Sequence, residues 1–317
     1  MSARPGRFVL SIDLELGWGY RDTRLDRALQ RRIQAARDSL PELLSLLVSR
    51  KVRATWATVM ALELEGADEL FSFDEVPSVR ALERGGRSGL SEQVTRLPEL
   101  YFYDEFVREL RSHPEQEVGA HTLTHLVCDR ATSERCATFT AELAACQEIA
   151  ARSSSKLHSL VFPGNYYSSP YLQIARRAGF TCYRGDRFVS GAEPRGALSR
   201  SLGRGGRLLD AYLGPVRSSG VEVSSGLKNI PGDRFLRLED GGFFGRAHLA
   251  RVEKELKHAA ETSATYHLWF HPHNLGSREN GFERLRAVLD LFAEQASAGR
   301  LLSLTMGEVA EESEPSG

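Results

Sequence analysis

Glu117-Val118-Gly119-Ala120-His121-Thr122-Leu123-Thr124-His125 is a short apolar run that closes on two histidines four residues apart. The run predicts a strand, and the histidines then leave from its C-terminal end. Imidazoles at i and i+4 share one face of a helical turn, so the spacing predicts that both rings aim at one point. Such a pair is also an ordinary feature of helical surfaces, and position decides between the two readings. The first apolar run of the chain, Phe8-Val9-Leu10-Ser11-Ile12, likewise ends in titratable residues, Asp13-Leu14-Glu15. A borderline cation such as zinc takes about two imidazole nitrogens and a carboxylate and leaves a coordination position for water. A third exit is Tyr266-His267-Leu268-Trp269-Phe270-His271-Pro272-His273. Proline cannot donate to a strand ladder, so this strand should stop at His271. A lone histidine at a strand end ordinarily keeps its ring in solvent; as the third titratable exit, His271 is read as functional. In parallel α/β barrels the C-terminal ends of the strands carry the chemistry.

Further strand-like runs are Val52–Val59, Leu157–Phe162, Phe180–Tyr183 and Leu301–Thr305. Helical patterns fall between most of them. Thr132 to Arg152 places Phe139, Leu143, Cys146 and Ile149 on one stripe, and Ser169-Pro170 through Gly179 has a cap, a first-turn proline and a terminating glycine. Leu249, Val252 and Leu256 make another stripe, as do Phe282, Leu285, Val288, Leu289 and Phe292. Strands alternating with amphipathic helices predict an α/β fold with a parallel sheet or barrel. Two stretches, 62–100 and 185–245, exceed ordinary connections and are expected to be functional loops or small insertions between strands and helices of the barrel. The second carries Arg187, Arg195, Arg200, Arg204, Arg207 and Arg217, which suit a solvated surface better than a phosphate site. A catalytic barrel over 1–306 and a disordered acidic tail over 307–317 are expected.

The 317 residues are 41% hydrophobic and carry a net charge of −1, so no global field attracts nucleic acid or an anionic membrane. The N-terminal apolar run is too short for a secretory segment or a span, so a cytoplasmic protein without membrane insertion is expected. The cysteines, Cys128, Cys136, Cys146 and Cys182, show no C-x-x-C pair and read as reduced, packed thiols.

His121-Thr122-Leu123-Thr124-His125 is similar to the H-[ST]-x-x-H motif of the polysaccharide deacetylase (NodB homology) family, and Asp13-Leu14-Glu15 and Leu268-Trp269-Phe270-His271-Pro272 resemble its first and last motifs. The resemblance spans most of the chain. It implies a distorted (β/α)7-type barrel and a metal-dependent hydrolase that removes an acyl group, acetyl first, from the amide nitrogen of an N-acetylated sugar or glycan precursor. It further implies Glu15, His121 and His125 as ligands of one divalent ion, zinc first, with Asp13 as general base and His271 as general acid. The family's third motif is only partly present in Val161-Phe162-Pro163-Gly164-Asn165-Tyr166: Phe162 stands where the resemblance expects an arginine that holds the base. By the same alignment an oxyanion-binding backbone amide falls near Asn165. Asp186 and Asp210 are candidates for the acidic residue that would orient the acid histidine. Trp18, Tyr166 and Trp269 are the candidate sugar contacts, Trp18 first because Gly17 and Gly19 flank it; Tyr20 and Tyr167 are further aromatics of the same kind, and each could equally be core. Two alternatives stay open: a hydrolase of a non-sugar amide, such as a ureide or N-acyl metabolite, and a degenerate barrel that binds a glycan without catalysis.

Overall fold

The computed structural model describes residues 4–85, 89–185, 216, 220–238, 241–276 and 280–312. Among these described residues, ten strands form one sheet: β1 (Gly6–Leu14), β2 (Ala54–Thr58), β3 (Gln116–Ala120), β4 (Ser159–Val161), β5 (Cys182–Arg184), β6 (Glu222–Ser224), β7 (Leu227–Asn229), β8 (Arg234–Phe235), β9 (Thr265–Phe270) and β10 (Leu301–Leu304). All pairings are parallel except β6 with β7. The sheet closes through a single segment. β7 pairs with β5, Gly232 donates to the Gly185 carbonyl, and one residue later Asp233 donates to the His267 carbonyl before β8 pairs with β9. The stretch 227–235 therefore serves as one bent strand, and the ring β1-β2-β3-β4-β5-(β7/β8)-β9 has seven stations. This is the distorted (β/α)7 barrel that the sequence implies, with β10 inserted beside the N-terminal half of β1.

Alternation along the strands divides the apolar residues into two groups. Phe8, Leu10, Ile12 and Leu14 of β1 join the large outer cluster beneath the helices. Val9, Ala57, Val161, Cys182 and Ile230 face the lumen and pack with Met306, Val309 and Ala310. Period two then carries β1 from Val9 to Ser11 and Asp13, and β9 from His267 to Trp269 and His271. Every titratable exit thus opens at one end of the lumen.

The helices Ser133–Arg152, Ser169–Arg177, Gly242–Thr262 and Gly281–Ser297 match the predicted stripes closely. A 23-residue helix, Arg27–Ser49, adds a stripe of Ile33, Ala36, Leu40, Leu43, Leu44 and Leu47, and its N-cap Asp26 accepts from the Leu29 amide. The stretch 62–100 is a small insertion built of three short helices, Ala67–Phe71, Pro77–Glu83 and Leu90–Arg96, that bury Leu70, Val79, Leu82, Leu90 and Val94. One expectation is corrected. The acidic tail does not begin at 307. Met306–Glu311 is a helix started by a capping box between Thr305 and Glu308, because Val309 and Ala310 close the lower lumen and Lys228 binds the Ala310 carbonyl. The six arginines noted in 185–245, with Asp186 and Asp210, lie outside the described residues. Among the described residues no helix is long and apolar enough to cross a membrane.

Candidate active site

Glu15, His121 and His125 meet at the top of the barrel, and their ligating atoms all lie within 4.8 Å of one another. The Glu15 Oε2 stands 2.9 Å from His125 Nε2 and 3.7 Å from His121 Nε2. The His121 Nδ1 lies 2.8 Å from the Val161 carbonyl, which fixes a proton on Nδ1 and leaves the Nε2 lone pair facing Glu15. His125 Nδ1 is buried with no hydrogen-bond partner among the described residues, so that ring is oriented from the Glu15 side alone. Burial lowers the pKa of His125 despite the attraction of Glu15, which favours the neutral ring that a cation would need. Burial opposes ionisation of Glu15, but the neighbouring His271, His121 and His125 prevail and hold its carboxyl well below the usual range. One carboxylate and two imidazoles form a donor set that suits zinc or a similar cation.

The histidines do not converge on a helical turn as their spacing predicts. Residues 121–125 form a loop in which Thr122 and His125 adopt positive φ of 61° and 58°. The loop is pinned from below by Glu142, a fully buried residue of the Ser133–Arg152 helix. Its carboxylate accepts from the amides of Leu123 (2.9 Å) and Thr124 (3.2 Å) and from the hydroxyls of Thr124 (2.5 Å) and Ser78 (2.6 Å). Leu16, directly after Glu15, is also at positive φ (41°), and a Cβ on Gly19 would land on the Glu15 carboxylate. Left-handed backbone at Leu16, Thr122 and His125, beside or within the cluster, is strain of the kind found at functional sites.

Asp13 stands beside this cluster without joining it. Arg184, from the end of β5, donates to both of its oxygens at 2.7 Å, and both side chains are buried. Burial raises the Asp13 pKa, yet the Arg184 charge and hydrogen bonds outweigh it, with His121 and His271 adding, and the carboxyl is held below its ordinary value. His271 Nε2 lies 3.7 Å from Asp13 Oδ2 and 3.6 Å from Glu15 Oε1, and its ring stacks on His273 at 4.9 Å. Arg184 answers the question raised by Phe162. The arginine beside the aspartate comes from the next strand along, while Phe162 is buried against Phe139 and Tyr167. Its signal in the sequence was a charged residue closing the apolar run Phe180–Tyr183.

Three other candidates are repositioned. Trp18 is fully buried, donates through Nε1 to the Tyr101 carbonyl and packs edge-on to Tyr101 and Phe102, so it is core and touches no substrate space. The Asn165 amide already donates to the Phe162 carbonyl at 2.8 Å, which rules it out as an oxyanion donor; its side-chain oxygen instead accepts from Arg184 at 3.2 Å. Trp269 carries the Arg184 guanidinium on its ring at 4.3 Å and abuts Phe235 and His271. Tyr166 is half-buried, one residue beyond the Asn165 turn.

No family model matches the chain, and no curated protein matches it in sequence. Solved structures do share its fold. A Mycobacterium smegmatis structure named as a polysaccharide deacetylase superposes with a TM-score of 0.60 at 13% identity, over 98% of this chain and 93% of that one. A Pseudomonas aeruginosa structure named likewise gives 0.53 at 10% identity, over 96% and 88%. A GH57-type branching enzyme from Pyrococcus horikoshii gives 0.54 at 11% identity, over 98% and 71%. The chain therefore has the fold of the polysaccharide deacetylases. The branching enzyme has it too, so the chemistry must be argued from the site.

Proposed function

We propose that the protein is a metal-dependent amide hydrolase that removes an acetyl group from the nitrogen of an N-acetylated sugar. The observation that carries this reading is the placement of Asp13 and His271 beside, but outside, the Glu15–His121–His125 cluster. Three neutral or anionic donors with two further titratable groups at their rim match metal-assisted hydrolysis; glycoside hydrolysis relies on a pair of carboxyl groups, one of them a proton donor. A divalent cation on Glu15, His121 and His125 would activate water and polarise the acyl oxygen. Asp13, kept ionised by Arg184, accepts the proton that the attacking water releases. His271 delivers a proton to the sugar nitrogen as the C–N bond breaks, giving acetate and a free amine. Asp13 and His271 thus work in opposite protonation states. Retention of all five residues supports catalysis over a glycan-binding barrel.

The test is acetate release from N-acetylglucosamine oligomers and from N-acylated non-sugar amides, with metal content measured on the same sample. Near one equivalent of zinc or a similar ion, with release from the sugars, supports the reading. Release from the non-sugar amides alone moves the substrate class, and a metal-free protein that is not stabilised by added cation contradicts the site.

A further inference from the structure

Behind the Asp13–Arg184 pair lies a second set of polar groups. Ser11, Arg184 and His267 are almost completely inaccessible. Arg184 Nη1 donates to Ser11 Oγ at 2.9 Å, and Ser11 Oγ lies 2.8 Å from His267 Nε2. His267 Nδ1 in turn lies 3.0 Å from the Ile230 carbonyl. Every proton in this chain is dictated by its ends. A guanidinium only donates and a carbonyl only accepts, so Ser11 must give its hydroxyl proton to Nε2 and His267 must carry its own proton on Nδ1. Burial, with the Arg184 charge second, pushes the His267 pKa down to about 3, consistent with a neutral ring.

We infer that His267 and Ser11 are positioning residues for the reaction: they hold Arg184 in the orientation that grips both oxygens of Asp13, and they do so without touching substrate. The inference rests on the functional reading above. Its geometry also explains why a histidine lies in the middle of β9, where an apolar residue would pack as well. The anchor at the far end is Ile230, in the segment that closes the barrel between β5 and β9. Barrel closure and the orientation of the general base are therefore joined through one buried line of hydrogen bonds.

The contrast between two replacements tests this in the full chain. Gln at 267 can bring its Oε1 to the position of Nε2 and accept from Ser11; Asn fills the Nδ1 side and stops short. H267N and S11A should each lower kcat for acetate release by about tenfold, as seen for residues that orient a catalytic group through another, with KM and bound metal little changed. H267Q should retain more of kcat than H267N. The double variant S11A/H267N should be no slower than either single one, because both cut the same line. Stability losses with kcat unchanged in both variants, or multiplicative losses in the double, overturn the proposal. Should H267N fail to fold, S11A, which loses one hydroxyl, carries the test. Crystal structures of S11A and H267N provide an arm independent of activity. Arg184 displaced from its two-oxygen contact with Asp13 supports the relay, and an undisturbed contact overturns it, even if the wild type releases no acetate and the functional reading itself fails.

Discussion

At the scale of single residues, the site depends on a buried charge that has one principal partner. Removing Arg184 leaves Asp13 ionised and desolvated, and breaking a buried pair from one side costs about 3–5 kcal/mol. Arg184→Ala should therefore lose roughly that much in denaturant unfolding at neutral pH, whereas Asp13→Leu combined with Arg184→Met should recover most of it and remain inactive. His267 gives a prediction in pH. Its folded pKa of about 3 lies below the ordinary value of 6.5, so between these limits the unfolded chain binds the extra proton and stability falls as the solution is acidified. Stability should drop from about pH 6.5 toward pH 3 with a contribution from this residue of up to about 1.4 kcal/mol per pH unit, and H267Q should flatten the slope by that amount. Identical slopes in guanidinium titrations of the two proteins would show that the ring is not held neutral. Asp13, Glu15, His121, His125 and His271 drew attention in the sequence as titratable residues at or just beyond the ends of three apolar runs. Arg184 also closes an apolar run, but an arginine there looks the same whether it faces solvent or a carboxylate on a strand 171 residues away, so that signal alone did not single it out.

At the scale of elements, the pairing of the histidines is a property of a loop and of the helix beneath it. Helical spacing suggested the right partners for the wrong reason: left-handed turns at Thr122 and His125 bring the rings together, and Glu142 stabilises those turns through four donors. Glu142→Ala should weaken metal binding about 10- to 100-fold in a competitive zinc titration, although Glu142 is not in the cluster, as is usual for groups that orient ligands. Unchanged affinity would mean that the loop holds its own shape. The C-terminal helix shows how local composition misleads. Its glutamates read as a solvated tail, yet Thr305 and Glu308 form a capping box, and Val309 and Ala310 have a lumen to fill. Thr305→Ala should cost about 1 kcal/mol of stability, measured by thermal unfolding, and a loss near zero would return the segment to the tail reading.

At the scale of the whole molecule, β1, β3 and β9 deliver their exits to one end of the barrel because alternation fixes which residues enter the lumen. That much followed from periodicity. The closing strand did not, since residues 227–235 are divided between two partners and contain Pro231 and Gly232, which read as loop. Because Glu15, His121 and His125 join the exit of β1 to that of β3, a cation bound among them should stabilise the entire barrel. A ligand at 100 times its Kd contributes about 2.7 kcal/mol, so zinc should raise Tm, EDTA should reverse the rise, and His125→Ala should abolish it. The account stands most directly on the separation of metal binding from proton transfer at Asp13. Acetate release and bound metal measured together on Asp13→Asn should show metal retained near the wild-type level with release almost abolished, because the amide keeps the shape of the carboxylate and cannot take the proton. Metal and activity lost in equal measure would make Asp13 a ligand, and activity preserved would contradict the assignment of the base.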